Sequence, residues 1–283
     1  MSRIAYVNGQ YVPHAFAQVH IEDRGYQFAD GVYEVCLVVD GKYWDLDGHL
    51  ARLKRSLGEL QIAMPMSENA LRVVMDNVRK RNHFPSAMIY IQVTRGVAPR
   101  NHIFPVGLKP SLVMTAKSFD LDQSDAKAAK GIRVITQPDI RWGRTDIKST
   151  GLLANAMAKH AASEVGAGEA LLIRDGHITE CSSSNAWIID KDGVLITHPK
   201  SHEILSGITR ETAKACAQEL QLKVVERPFT LDEVKAASEM FLTSASSVVM
   251  PVIGVDSFKI GDGTPGPITK RLRESYKAQA RAL

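Results

Sequence analysis

The sequence predicts an α+β fold arranged as two domains. Three features carry that expectation: Asn-Gly and Asp-Gly turn signals between β-rich runs in the first half, amphipathic helical segments after them, and a polar stretch at 119–130 beyond which strands and helices resume. With 283 residues, 45% hydrophobic and 23% charged, the chain can build one large core or two medium ones.

In the first half, Asn8-Gly9 and Asp40-Gly41 favour the positive backbone angles of two-residue hairpins, so Val32–Val39 and Tyr43–Leu46 are expected to be the arms of one hairpin. Helices are expected over His49–Leu60 and after Ser67, where Leu71, Val74, Met75 and Val78 fall at i, i+3, i+4 and i+7 behind a capping serine. Met88–Thr94 and Leu112–Ala116 return to strand character. Phe119–Lys130 is rich in Asp, Lys and Ala and lacks an apolar stripe, which makes 119–130 the expected connection between a domain at 1–118 and a larger one at 131–283.

The second half is expected to run from a strand at Ile132–Thr136 to a helix at Leu152–Glu164, followed by hairpins turning at Asp175-Gly176 and near Asp192-Gly193. Helices at Thr209–Leu220 and Pro267–Ala280 flank strands at Lys223–Arg227 and Met240–Thr243. The chain has no internal repeat or low-complexity tract.

Composition excludes several function classes. The net charge is +4, and the basic clusters Arg79-Lys80-Arg81 and Lys270-Arg271-Leu272-Arg273 have helical spacing without interleaved aromatics, so they read as solvated helix faces and no nucleic-acid partner is expected. Cys36, Cys181 and Cys216 form no C-x-x-C pair, which argues against a disulfide framework and a metal site and fits a cytoplasmic location. Met1-Ser2-Arg3-Ile4-Ala5-Tyr6 enters a strand pattern without an apolar signal core, and no apolar run approaches the ~20 residues a bilayer requires, so neither export nor a membrane partner is expected.

Two residues carry chemistry. Lys148, in Arg144-Thr145-Asp146-Ile147-Lys148-Ser149, is an amine able to condense with an aldehyde. Glu180, in Thr179-Glu180-Cys181-Ser182-Ser183-Ser184-Asn185, is a carboxylate able to keep a pyridine nitrogen protonated. Together they point to pyridoxal 5'-phosphate as cofactor. Taken singly, each is an ordinary charged residue.

Tyr26-Gln27-Phe28-Ala29-Asp30-Gly31-Val32-Tyr33-Glu34, His49-Leu50-Ala51-Arg52-Leu53, Asp146-Ile147-Lys148, Thr179 to Asn185 and Gly207-Ile208-Thr209-Arg210 occur in the order of the class IV, fold type IV, aminotransferases, which the chain resembles along essentially its whole length. The segment Thr94-Arg95-Gly96-Val97-Ala98-Pro99-Arg100-Asn101-His102-Ile103-Phe104-Pro105 resembles the D-amino acid aminotransferase branch.

The resemblance implies an active site at the domain interface. There Lys148 would bind the cofactor covalently and shuttle the substrate proton, while Glu180 would hold the ring nitrogen. It places the phosphate on Arg52, Gly207, Ile208, Thr209 and Ser244; the residue after that serine, usually a hydroxyl, is Ala245 here, so another donor such as Ser246 must serve. Leu205 would pack on the ring, with Trp142 lining the same cavity. Tyr33, Arg100 and His102 would bind the substrate carboxylate, the latter two across a homodimer, and Ser182, Ser183 and Ser184 would share turn formation with substrate contacts. Cys181 is expected to be an inert buried thiol. The implied reaction is ping-pong transamination between a D-amino acid of the D-alanine or D-glutamate type and a 2-oxo acid such as 2-oxoglutarate or pyruvate.

Three alternatives are weighed against it. Branched-chain L-amino acid aminotransferases usually place a tyrosine five residues after the lysine, where this chain has Leu153. Aminodeoxychorismate lyases share the fold but give Arg100 and His102 no obvious role. A cofactor-free binding protein would have no need of both Lys148 and Glu180.

Overall fold

The structure is a computed structural model that describes residues 3–282. Met1, Ser2 and Leu283, which the two expected domains include and the first two of which open the expected amino-terminal strand pattern, lie outside the described residues. The chain divides into two compact units, Met1–Asp120 with Ile147–Gly151, and Leu121–Asp146 with Leu152–Leu283.

The first unit contains β1 (Ile4–Val7), β2 (Gln10–Pro13), α1 (Arg24–Phe28), β3 (Gly31–Val39), β4 (Lys42–Tyr43), α2 (Leu46–Glu59), α3 (Glu68–Arg81), β5 (Ala87–Thr94) and β6 (Ser111–Ser118). Its six strands form an antiparallel sheet in the order β2-β1-β6-β5-β3-β4. Both expected hairpins turn where the sequence places them, with Asn8 and Gly9 at φ 47° and 102° and Asp40 and Gly41 at 50° and 79°. The second arm of the later hairpin is shorter than expected: β4 ends at Tyr43, and Leu46 already opens α2. Ser67 caps α3 by accepting from the Ala70 amide at 3.3 Å.

Leu71, Met75 and Val78 of α3 and Leu50, Leu53 and Leu57 of α2 meet the inward face of the sheet, where Cys36, Ile89, Ile91 and Met114 are fully buried. Each such side chain contributes roughly 1.5–3 kcal/mol of burial. Ile147 belongs to this core, which ties the short segment 147–151 to the first unit.

The second unit contains α4 (Leu121–Lys130), β7 (Ile132–Pro138), α5 (Leu153–Glu164), β8 (Glu169–Arg174), β9 (His177–Cys181), β10 (Asn185–Ile189), β11 (Leu195–Thr197), α6 (Ile208–Glu219), β12 (Val224–Glu226), β13 (Phe229–Thr230), α7 (Leu231–Ala236), β14 (Glu239–Ser244), β15 (Val248–Val255), β16 (Phe258–Lys259) and α8 (Pro267–Ala282). A mixed sheet runs β12-β11-β10-β14-β15-β7-β8-β9-β13, with β16 paired to β15.

The stretch expected to connect the domains is largely helical and counts with the second unit. Only Ala128 of α4 is buried, and the helix is held by Asp125, which bonds Arg273 and Lys277 of α8 at 2.7 and 2.8 Å. Attachment through ion pairs leaves no apolar stripe to read. The central strand β15 is likewise absent from the sequence expectation, because Pro251 and Gly254 interrupt its apolar run. Pro251 is tolerated because pairing with β7 begins one residue later, at Val252, so no bond on that side is lost.

Candidate active site

In the first unit, Lys148 is anchored through its backbone. Its carbonyl accepts from the Tyr33 amide at 3.0 Å, its amide donates to Ser56 Oγ at 3.3 Å, and its neighbour Ser149 forms a bridge with Val32. The half-buried side chain places Nζ 4.2 Å from the centroid of the Tyr33 ring, which in turn stacks on Tyr90. Strand alternation puts Glu34 on the opposite face of β3 from Tyr33. Glu34 is fully buried and accepts from Arg52 Nε and Nη2 at 2.7 and 2.9 Å, with His49 Nδ1 at 2.8 Å. Burial alone would raise its pKa, but the Arg52 charge and hydrogen bonds hold it at about 2. Arg52 is therefore a buried arginine already committed to a carboxylate through two of its nitrogens.

Arg100 and His102 lie in the irregular segment after β5, and both side chains rest against Phe28. The Arg100 guanidinium is 4.5 Å from the Phe28 centroid, and the His102 ring meets it edge-on at 5.5 Å. Both residues are exposed in the chain described.

In the second unit, Glu180 ends a row of buried charge. Its Oε1 accepts from Arg141 Nη1 and from the Leu205 amide at 3.1 Å, and its Oε2 accepts from Asn185 Nδ2 at 2.8 Å. Arg141 also donates through Nε and Nη2 to the two oxygens of Asp139, at 2.8 and 2.7 Å, and Thr179 Oγ1 donates to Asp139 at 2.8 Å. Burial would raise the Asp139 pKa, yet the hydrogen bonds and charge of Arg141 bring it below the usual carboxylate range. Asp139 and Arg141 carry no sequence expectation; a charged pair two residues apart reads as a surface feature.

Asn185 gathers the rest of this cluster. Besides Glu180, its Nδ2 reaches the Leu205 carbonyl at 2.8 Å. Its Oδ1 lies where a Cβ on Gly207 would have to go, so the glycine is required by Asn185 itself. Gly207 opens α6 without a side-chain cap, and Thr209 is buried in the first turn, which leaves a helix start of the kind that binds anions. Asn185 also pairs with Thr243 across β10 and β14, so Ser244 follows beside it. Ser244 Oγ accepts from the Ser247 amide at 3.2 Å and is 3.3 Å from Ser246 Oγ; Ala245 adds no side-chain donor there. Leu205 is half-buried, whereas Trp142 is 47% exposed.

A cysteine and a serine turn follow Glu180. The hydroxyls of Ser182, Ser183 and Ser184 all donate to Glu169, the latter two at 2.5 and 3.5 Å, so the turn formation expected of them is built on a buried carboxylate. Cys181 is 1% exposed and burial pushes its thiol pKa up, the state of an inert core cysteine.

With this geometry in view, the family described as amino-transferase class IV matches residues 31–255. The chain belongs to the class IV aminotransferase family. It is 41% identical to a D-alanine aminotransferase of Staphylococcus haemolyticus over 272 residues, covering 96% of this chain and 95% of that relative. A Bacillus licheniformis D-alanine aminotransferase is 42% identical over 270 residues, covering 95% and 94%. Among solved structures, a branched-chain amino acid aminotransferase from T.th., determined with pyridoxamine 5'-phosphate, superposes with a TM-score of 0.89 at 26% identity, covering 100% of this chain and 95% of that one. The Escherichia coli branched-chain enzyme gives a TM-score of 0.90 at 23% identity over 99% and 95% of the two chains, a likeness of fold. The architecture is therefore fold type IV, and this class IV aminotransferase is a transferase of amino groups.

Proposed function

We propose that the protein transfers the amino group of a D-amino acid of the D-alanine type to a 2-oxo acid such as 2-oxoglutarate, using pyridoxal 5'-phosphate. The observation that carries this reading is the 41% identity, across nearly the whole of both chains, to a D-alanine aminotransferase. Branched-chain aminotransferases share the fold at only 23% and 26% identity, so the L-specific reading has less support.

The donor set suits the cofactor: an amine on an anchored backbone, a carboxylate held by three donors, and a helix start opened by glycine. When bound, the cofactor supplies an electron sink for the pair left on the substrate α-carbon. Lys148 is assigned the Schiff-base linkage and the proton shuttled at that carbon, and Glu180 is assigned the ring nitrogen. Leu205 would pack on the ring. Gly207, Ile208, Thr209 and Ser244 are assigned to the phosphate, and Ala245 leaves Ser246 as a further donor. Arg52 is assigned there too, its charge partly offset by Glu34. Tyr33, Arg100 and His102 are assigned the substrate carboxylate, for which a guanidinium offers two parallel donors.

Exposed Ile103, Phe104 and Val106 beside Arg100, with Ile21 and Tyr26, fit an interface with a second copy, so the proposed active form is a homodimer. The two compact units are taken to be the two domains. Among the described residues no helix is long and apolar enough to cross a membrane, and all three cysteines are free and buried, which supports a cytoplasmic location.

The deciding experiment compares D- and L-alanine as amino donors to 2-oxoglutarate. Turnover of D-alanine with little of L-alanine is expected; preference for L-leucine or L-alanine would overturn the D-specific assignment.

A further inference from the structure

Phe28 closes α1, directly ahead of Ala29, whose left-handed backbone ends the helix at φ 54°. Three cationic or cationisable groups surround its ring. Arg24 lies 4.7 Å and Arg100 4.5 Å from its centroid, and His102 meets it edge-on. The three are held differently. Arg24 is buried, donates to Asp30 at 2.7 Å and, through Nη1, to the carbonyl of Asn101, the residue between Arg100 and His102. Arg95 also binds Asp30, at 2.7 and 2.9 Å, and lies 3.7 Å from the Phe104 centroid. The backbone of the segment is thus pinned at Asn101, and its later part rests on Arg95 at Phe104.

Arg100 has no ion pair among the described residues, and its guanidinium lies over the Phe28 face. An aromatic face restrains a guanidinium without consuming its charge or its five donors, whereas a carboxylate partner would occupy the fork that an incoming carboxylate needs. We propose that Phe28 is a positioning residue that holds Arg100 and His102 in the orientation that receives the substrate carboxylate. This gives a role to the Tyr26-Gln27-Phe28-Ala29-Asp30-Gly31 segment: Asp30 fixes Arg24 and Arg95, those two fix the following segment, and Phe28 presents its two side chains. The proposal rests on the reading of Arg100 and His102 as the carboxylate-binding pair.

The test uses the holoenzyme in four forms besides wild type: Phe28→Leu, Phe28→Tyr, Arg100→Ala, and Phe28→Leu combined with Arg100→Ala. KM and kcat are measured for D-alanine and 2-oxoglutarate, and calorimetry measures binding of propionate, a carboxylate that cannot transaminate. Phe28→Leu keeps an apolar side chain but removes the π face. It is expected to raise KM for both substrates about five- to tenfold and weaken propionate to the same extent, with kcat changed less than about twofold. Phe28→Tyr keeps the face and is expected to match wild type. In the Arg100→Ala background, Phe28→Leu is expected to add less than about a twofold effect, because the guanidinium is gone and only His102 is left to position. If Arg100→Ala raises KM while Phe28→Leu does not, or if the two effects multiply in the double variant, the positioning role is overturned. Wild-type KM in Arg100→Ala would instead overturn the carboxylate-binding reading beneath it.

Discussion

Arg141 stands between two buried carboxylates, giving one side of its guanidinium to Glu180 and the other to both oxygens of Asp139. The side chains of all three are at most 6% exposed. Two anions at this depth are tolerable only because the cation between them and the surrounding donors replace lost hydration. Glu180 is thereby held from behind, with its oxygens oriented by Arg141, the Leu205 amide and Asn185. Arg141→Met should cost about 3–5 kcal/mol of unfolding free energy, since it leaves uncompensated buried charge. Adding Asp139→Asn should recover part of that loss, as one of the two stranded anions is neutralised. Urea unfolding of the single and double variants measures both; additive losses would show that the three groups do not act as a unit.

Glu180→Gln keeps the shape of the side chain and removes its charge. The amide can still occupy the site beside Asn185, so cofactor is expected to remain bound. Proton movement at the substrate α-carbon should slow by roughly 10²-fold, because a neutral partner no longer favours a protonated ring nitrogen. Single-turnover absorbance with D-alanine gives the rate directly, and a wild-type rate would remove Glu180 from this role.

Lys148→Ala should abolish transamination and the borohydride-fixable cofactor together. The side chain is half-buried beside Tyr33 and lies outside the Leu, Ile and Met core, while the backbone bonds to Tyr33 and Ser56 do not depend on it. The unfolding midpoint is therefore expected to stay near that of wild type. Mass spectrometry after borohydride treatment, together with the urea midpoint, checks both halves of this expectation.

The chemistry-bearing residues are more legible in the sequence than their supports. Lys148 and Glu180 stand in short distinctive contexts, and the hairpins are announced by residues that tolerate positive φ. Arg141 and Asp139 escape notice because a charged pair near a strand end usually faces water, and only folding shows that both side chains are buried. The turn-forming part of the serines at 182–184 is legible, but their acceptor is not, because Glu169 is more than ten residues earlier and enters on another strand. Helix α4 gives no apolar stripe since Asp125 attaches it through Arg273 and Lys277, and β15 is hidden by a proline that lies one residue before the pairing with β7 begins.

Glu34 sets a pH dependence of stability. Its pKa falls from 4.5 to about 2 on folding, against the effect of burial, because Arg52 and His49 favour the charged form. For a carboxylate with a depressed folded pKa, the stabilisation is present above the unfolded value and is lost as pH falls through the folded one. The contribution, on the order of 3 kcal/mol, should therefore fade between about pH 4.5 and pH 2. Glu34→Gln should flatten this part of the unfolding free energy against pH, while the slopes due to other carboxylates remain. An unchanged slope would mean that the Glu34 and Arg52 pair is not maintained in solution.

The homodimer is tested by making each site incomplete in a different way. Arg100→Ala protomers retain Lys148, and Lys148→Ala protomers retain Arg100. If a site draws Lys148 from one protomer and Arg100 from its partner, a mixed dimer contains one site with both residues and one with neither. Equal mixing with exchange makes half of the dimers mixed, so activity should recover to about a quarter of wild type per site. If both residues come from one protomer, no site in any mixed dimer is complete, and mixing yields only the residual activities of the parents. Native mass spectrometry of the mixture, which separates the two parent dimers from the mixed one, verifies that exchange has occurred, so an absence of recovery in exchanged dimers would place Arg100 within its own protomer's site.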